Sequence, residues 1–225
     1  SDVYKRQTLE DFIGAFGVTA TVDVDSQSSE KTFRMDIARI NDRDVLISGM
    51  TDMRDFAPQL KGYYDKELHM LIVEPQYAGM YNGAYATLGF SNGLSIFWGD
   101  AGMAVGYIGD TLYWASSPYS PEEVNSYMFL LFSTPQASSS SYLRQYAGSK
   151  TYSSLKMKPL QQASAQTAAR AAESRTGSIE TGGQRFTTYL TGERVAVPAK
   201  ASGNTAAKVP AEGKRLRTDL VLHTR

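Results

Sequence analysis

The chain contains no cysteine, only two histidines and no long apolar run. The absence of cysteine excludes disulfide bonds, zinc sites with thiolate ligands and cysteine nucleophiles, but it does not identify a compartment. The most apolar block, MFLLF at 128–132, is far too short to cross a bilayer as a helix. With 225 residues, of which 42% are hydrophobic, the chain can still bury a globular core.

Charge and composition divide the chain into two parts. Residues 1–150 carry 11 Lys and Arg against 18 Asp and Glu, whereas residues 151–225 carry 12 against 5. The second part has few aromatic residues and long runs of Ala, Ser, Thr and Gly, so it buries too little apolar surface to offset its chain entropy. We therefore predict a folded domain at 8–152 and a disordered, low-complexity basic tail at 153–225. We expect the tail to be a solvated extension with no specific nucleic-acid partner.

The first seven residues, SDVYKRQ, form a separate segment. They lack the apolar stretch of a signal peptide and resemble a translated sequencing-adapter remnant found in proteins from metagenomic assemblies. We expect residues 1–7 to be non-native, and we expect an export signal and a lipid-anchor cysteine to have been lost upstream.

The domain reads as short strands separated by turns. In GVTATVDVD at 17–25, apolar and polar residues alternate with the period of two that sends one strand face to a core. Similar runs bring the number of predicted strands to about ten, and the polar segments between them have hairpin length. We predict an all-β fold in which an antiparallel meander closes into a small barrel, with a β-sandwich as the alternative.

The segment GFSNG at 89–93 matches the G-x-S-x-G pattern of the α/β-hydrolase nucleophile elbow, with Ser91 as the nucleophile. An elbow needs a helix after the serine, but the residues that follow alternate like a strand. Asn92-Gly93 between two apolar runs instead predicts a tight type I′ hairpin. We therefore predict that the protein is not an enzyme and keep a serine hydrolase at Ser91 as an alternative.

The remaining polar motifs do not predict a metal site or a cofactor. The acidic pairs in NDRD at 41–44 and YDKE at 64–67 are typical of turns, where carboxylates accept backbone hydrogen bonds. We expect His69 to lie on a strand face rather than on a metal. No Gly-Lys-Ser/Thr loop occurs to hold a phosphate.

Aromatic residues are the best candidates for ligand binding. Large rigid rings with a polar handle bind sugars and apolar ligands, although small β domains also use them as ordinary core. We predict that the ligand-binding residues are Tyr77, Tyr81, Trp98, Trp114 and Tyr119. We expect Tyr77, Tyr81 and Tyr119 to lie in loops, in the segments EPQYAGMYNGAY and ASSPYSPEE.

Residues 14–132, with the motifs DFIGAFGVTATV, LKGYYDKELHMLIVEPQ and YNGAY, resemble the β-rich surface lipoproteins of gut Gram-negative anaerobes. The resemblance implies a lipocalin-like or otherwise barrel-shaped domain, exported and lipid-anchored, on the cell envelope or secreted. It supplies no catalytic residues. We expect a non-enzymatic domain that binds a glycan, a host or matrix component or an envelope protein; the alternative is a carrier of a small apolar ligand in the barrel.

Overall fold

The computed structural model describes residues 7–143 and 150–160, and there the chain is almost entirely β-sheet. The predicted disordered tail beyond residue 160 and most of the predicted remnant lie outside the described residues. The elements are a 3₁₀ helix Leu9–Phe12 and twelve strands: β1 Gly14–Val24, β2 Gln27–Arg39, β3 Asp44–Ser48, β4 Gln59–Asp65, β5 Met70–Val73, β6 Gln76–Tyr81, β7 Ala84–Ser91, β8 Ile96–Phe97, β9 Met103–Ile108, β10 Thr111–Ser116, β11 Ser126–Phe132 and β12 Lys150–Pro159.

Eight of these strands form a closed antiparallel barrel in the order β1-β2-β3-β4-β5-β9-β10-β12. The ring is completed by β12, which pairs with β1 from Phe16 opposite Pro159 to Val24 opposite Lys150. The predicted all-β barrel is therefore confirmed, rather than the alternative sandwich. Closure gives each barrel strand a neighbour on both sides, which removes exposed edges that would pair with other chains.

Alternation along the strands fills the barrel interior. In β1 the side chains of Phe16, Val18 and Val22 are at most 1% exposed, while the threonines between them are half-buried. The facing strands contribute similarly buried residues, such as Met35 and Ile47, to one continuous hydrophobic core. Since burial of each large apolar side chain contributes about 1.5–3 kcal/mol, the interior supplies most of the stabilisation.

A second sheet branches from the barrel at β12. One edge of β12 pairs with β10 through Lys156 and Met157, and with β11 through Thr151, Tyr152 and Ser153. From β11 the second sheet continues to β7 and β6, and β8 pairs with β7. The strand β12 is therefore the point at which the two sheets separate.

Two strands, β6 and β12, were not predicted. β6 falls in a segment interpreted as a loop, and the predicted domain boundary at residue 152 falls inside β12. β12 continues to Pro159, and its Leu155 and Met157 are fully buried in the core, so the boundary at 152 is wrong. Both strands contain a register shift that breaks the period of two, at Ala78 in β6 and near Ser154 in β12.

The predicted hairpin after β7 is confirmed, but the predicted type I′ turn at Asn92-Gly93 is wrong. Ser91 pairs with Ile96, so the loop is longer than two residues, and only Gly93 in it has a positive φ, +91°. The Asn-Gly pair with both φ angles positive is Asn82-Gly83, at 49° and 77°, which joins β6 to β7 directly. That turn has the two-residue geometry expected of a type I′ hairpin.

Candidate functional site

A cleft of about 610 Å³ opens where β10 and β11 part from β12. We call it the fork cleft. Along β10, only Leu112 and Tyr113 pair with β12, while the pairing of β11 with β12 begins at Ser126. Between these two pairings Ser154 adopts a φ of +51° at the register shift, which bends β12. The cleft therefore follows from the branching of the sheet.

The fork cleft has an apolar inner wall and a polar rim. Trp114, Val124 and Leu155 line it and belong to the barrel core, so they form the inner wall. The other lining residues are mostly polar or small: Asp23, Ser91, Asn92, Gly93, Tyr113, Ala115, Ser116, Glu123, Asn125, Ser126, Thr151, Ser153 and Ser154. An apolar inner wall with several converging polar groups is typical of small-ligand sites.

Two charged groups, both carboxylates, occur among the described residues of this lining. Asp23 lies on the outward face of β1, and Glu123 lies in the connection from β10 to β11; no lysine, arginine or histidine of residues 7–143 and 150–160 lines the cleft. The hydroxyl of Ser28 donates a hydrogen bond to Asp23 Oδ1.

The amide and hydroxyl groups at the rim are held in place by backbone contacts. Asn92 Oδ1 accepts hydrogen bonds from the backbone N–H groups of Leu94 at 2.9 Å and Ser95 at 2.8 Å. The hydroxyl of Ser126 donates to Ser91 O at 3.3 Å, and Asn125 N donates to the same oxygen at 2.9 Å. These contacts fix the β7–β8 turn against the start of β11, so the rim is preorganised.

Ser91 lies at this rim in a structural role. Its side chain is buried, and Oγ accepts a hydrogen bond from Gly93 N at 3.0 Å. The one histidine in the described part of the chain, His69, has Nδ1 within 3.0 Å of Tyr64 Oη and 3.1 Å of Gln7 O. The prediction that His69 lies on a strand face is wrong, since it ends the β4–β5 turn with a φ of +55°. The G-x-S-x-G motif is a hairpin without a histidine partner in the described residues.

The five aromatic residues predicted to bind a ligand are not brought together. Trp114 lines the fork cleft, where its Nε1 donates to Met157 Sδ at 3.3 Å. Trp98 is fully buried in a separate cluster on the second sheet, stacked on Tyr142 with centroids 5.5 Å apart, and Tyr77 packs against the same cluster. Trp98 Nε1 has no hydrogen-bond acceptor among the described residues.

The other two residues lie elsewhere and make local contacts. Tyr81 packs on Phe56 with centroids 5.2 Å apart and donates to Asp55 Oδ2 at 3.1 Å. Tyr119 donates to Asp65 Oδ2 at 2.5 Å; burial first, and then this hydrogen bond, raises the pKa of Tyr119 well above its ordinary value. Tyr119 therefore stays protonated and ties the β10–β11 connection to the end of β4.

The cleft-lining residues that sequence reasoning missed are Tyr113, Asn92, Asn125 and the hydroxyls of β12. They come from two strands, β10 and β12, and from two connections, β7–β8 and β10–β11, so no local motif could have grouped them. One signal was available in the sequence. After Tyr152, the alternation of buried and outward residues in β12 resumes at Leu155 and Met157, but only if one extra residue is allowed between Tyr152 and Leu155.

A partly buried polar network supports the β12 wall of the cleft from behind. Tyr152 Oη lies 2.6 Å from Thr51 Oγ1 and donates to Asp52 Oδ1 at 2.7 Å, and Lys150 Nζ lies 3.0 Å from Asp52 Oδ2. Burial alone would raise the pKa of Asp52, but the hydrogen bond from Tyr152 and the charge of Lys150 outweigh it and lower that pKa. The network ties the β3–β4 loop to β12 and holds Thr151 and Ser153, which flank Tyr152, at the cleft.

Two further structural findings concern metals and membranes. Within residues 7–143 and 150–160, no three His, Asp or Glu side chains are grouped so that they could hold a metal ion. The part of the chain that the structure describes contains no helix long and apolar enough to cross a bilayer.

No family model, curated protein or solved structure matches the chain, so comparison assigns it no family.

Proposed function

We propose that this protein is a non-enzymatic binding domain that takes a hydroxyl-rich ligand, a glycan, in the fork cleft. The observation that carries the proposal is the cleft itself: about 610 Å³, with an apolar inner wall and a preorganised polar rim. That volume lies within the usual range of roughly 300–1,000 Å³ for ligand sites.

The chemistry of the rim fits a sugar. A pyranose ring has one face of C–H groups and a circle of hydroxyls that both donate and accept hydrogen bonds. Tyr113 is half-buried at the rim and offers a flat apolar ring with a polar tip. Asn92 Oδ1 is occupied by two backbone hydrogen bonds, so Asn92 offers its Nδ2 donor. The side-chain amide of Asn125 and the hydroxyls of β12 add further donors and acceptors around the ring.

The packed barrel interior argues for a surface binder rather than a carrier. The inward side chains of the barrel, for example Val45, Leu60 and Leu71, are fully buried against one another in a single cluster. A carrier needs an internal space of ligand size, whereas these residues fill the interior with their own side chains. The resemblance of residues 14–132 to surface lipoproteins adds an exported, envelope-attached location to the proposal.

Calorimetric titration with neutral oligosaccharides of two to five units tests the proposal. Tyr113→Ala should weaken binding about tenfold or more, because losing one well-placed aromatic contact costs about 1.4 kcal/mol or more. The matched control is Tyr85→Ala, which removes a half-buried tyrosine from β7 outside the cleft and should leave the affinity unchanged. If no oligosaccharide binds the wild type, or if both variants bind equally, the proposal is wrong.

The hydrolase alternative has its own test. Ser91→Ala should leave any hydrolysis of small ester substrates unchanged, because Ser91 Oγ accepts a backbone hydrogen bond and has no histidine beside it in the described residues. Ester hydrolysis that disappears in this variant would establish the enzyme instead.

A further inference from the structure

The β7–β8 turn places an Asn-Gly pair, Asn92-Gly93, at the rim of the fork cleft. Such a pair is prone to spontaneous deamidation, because glycine carries no side chain that would hinder attack on the asparagine. Gly93 N attacks Asn92 Cγ and closes a five-membered succinimide, while the amide proton of Gly93 and the side-chain NH₂ leave as ammonia. Water then opens the ring to aspartate or isoaspartate, so the reaction needs no oxidant or cofactor.

The attacking group is the backbone nitrogen of Gly93, and its proton is held by Ser91. Gly93 N donates a hydrogen bond to Ser91 Oγ at 3.0 Å. Hydroxide removes a hydrogen-bonded amide proton only when the bond opens, as in amide hydrogen exchange. A serine hydroxyl is itself far too weak a base to take this proton. The contact therefore keeps Gly93 N from acting as a nucleophile.

The group under attack, the carboxamide of Asn92, is held as well. Asn92 Oδ1 accepts hydrogen bonds from Leu94 N at 2.9 Å and Ser95 N at 2.8 Å. Closing the ring changes the torsion angles of Asn92, so it loosens both contacts. Water reaches the turn, because Gly93 and Leu94 are exposed. The turn is therefore open to solvent while both reacting groups are engaged in hydrogen bonds.

We propose that Ser91 is a positioning residue that protects Asn92-Gly93 from deamidation. The reaction would replace a neutral carboxamide at the rim by a carboxylate and remove its Nδ2 donor. Its isoaspartate product would also add a CH₂ group to the backbone of the turn. The inference gives the hydroxyl of the GFSNG segment a role opposite to nucleophilic catalysis, and it holds whichever ligand the fork cleft binds.

The experiment incubates the full chain in mildly alkaline buffer and measures deamidation at each asparagine by mass spectrometry of chymotryptic peptides. Ser91→Ala should deamidate at Asn92 about two- to twelvefold faster than the wild type, the rate ratio that corresponds to one neutral hydrogen bond. Exchange of the Gly93 amide proton, measured by NMR, should accelerate in parallel. A second Asn-Gly pair, Asn82-Gly83, is the internal reference, and its rate should not change.

The matched control is Ser126→Ala. This substitution removes a buried hydroxyl that donates to Ser91 O at 3.3 Å, and it leaves the bond from Gly93 N to Ser91 Oγ in place. It should therefore deamidate at Asn92 at the wild-type rate. Melting temperatures establish that each variant remains folded.

Three results would overturn the inference. The first is an unchanged rate at Asn92 in Ser91→Ala. The second is an equal acceleration in Ser126→Ala, or at Asn82 in Ser91→Ala, which would trace the effect to general loosening of the second sheet. The third is a native wild type whose Asn92 deamidates at least as fast as in the chain unfolded in urea, because the two N–H groups at Oδ1 would then activate the carboxamide instead of holding it.

Discussion

Truncation of Met157 tests whether the last strand belongs to the folded barrel. Met157 is fully buried, pairs with both β1 and β10, and accepts a hydrogen bond at Sδ from Trp114 Nε1 at 3.3 Å. Met157→Ala removes that acceptor and leaves a cavity between Leu112 and Val18. From the sequence alone, Met157 lies in the predicted disordered tail at 153–225, where a substitution would not change the free energy of unfolding.

The expected loss of stability follows from this geometry. A buried methionine truncated to alanine costs about 2–5 kcal/mol. For a domain of this size, each kcal/mol lowers the melting temperature by roughly 2–4 °C, so Met157→Ala should lower it by roughly 4–20 °C. Met157→Leu keeps most of the volume but leaves Trp114 Nε1 without its sulfur acceptor, so it should cost about 1 kcal/mol.

Thermal and denaturant unfolding of the full chain measure these differences. The matched control is Lys158→Ala, one residue further along β12, where the side chain is exposed and lies 3.9 Å from Asp110; it should change stability by less than about 0.5 kcal/mol. If the melting temperature of Met157→Ala equals that of Lys158→Ala instead of lying well below it, β12 does not close the barrel in solution and the argument fails.

Three further perturbations test other parts of the fold. Gly49→Ala should destabilise the protein by more than about 2 kcal/mol in urea, because its φ is +85° and a Cβ would collide with Arg34 O, whereas Gly93→Ala, with open space around it, should cost only the strain of positive φ. Asp52→Asn should cost stability at pH 7. Because the folded-state pKa of Asp52 lies below its ordinary 3.8, the advantage of the wild type should be complete above about pH 4 and vanish as pH falls through the folded pKa; a constant difference down to pH 2 would refute this. Ser91→Ala should cost at most about 1 kcal/mol, since it removes one hydrogen bond from Gly93 N, and a larger loss would mean that Ser91 has another role.

The barrel itself could be predicted because its signal is local and periodic. Residues such as Val18 and Val22 alternate with polar neighbours, and closing the sheet is the simplest way to protect the edges of many short strands. Where periodicity failed, the cause was a bulge: Ala78 in β6 and Ser154 in β12 each insert one residue and shift the buried face. A period-two search stops at such a position, so both strands were missed.

The candidate site could not be predicted because it depends on non-local pairing. Composition shows that the chain is rich in aromatic residues, but burial decides which ring meets a ligand, and Trp98 is enclosed while Tyr113 is at the surface. The cleft exists because one edge of β12 pairs with β11 near its start and with β10 further along. The partners of β12 on either side of Ser154 come from β10 and β11, which lie far from Ser154 in the sequence.

The position of β12 in the chain also determines how the barrel must fold. Phe16 cannot pair with Pro159 until nearly the whole domain has emerged, and until then β1, β10 and β11 all present an unpaired edge. Contacts of such long sequence separation form slowly, because the entropy of closing the chain is lost before the contacts are gained. During synthesis, the incomplete barrel therefore exposes three strand edges at once, and the arrival of one strand protects all three.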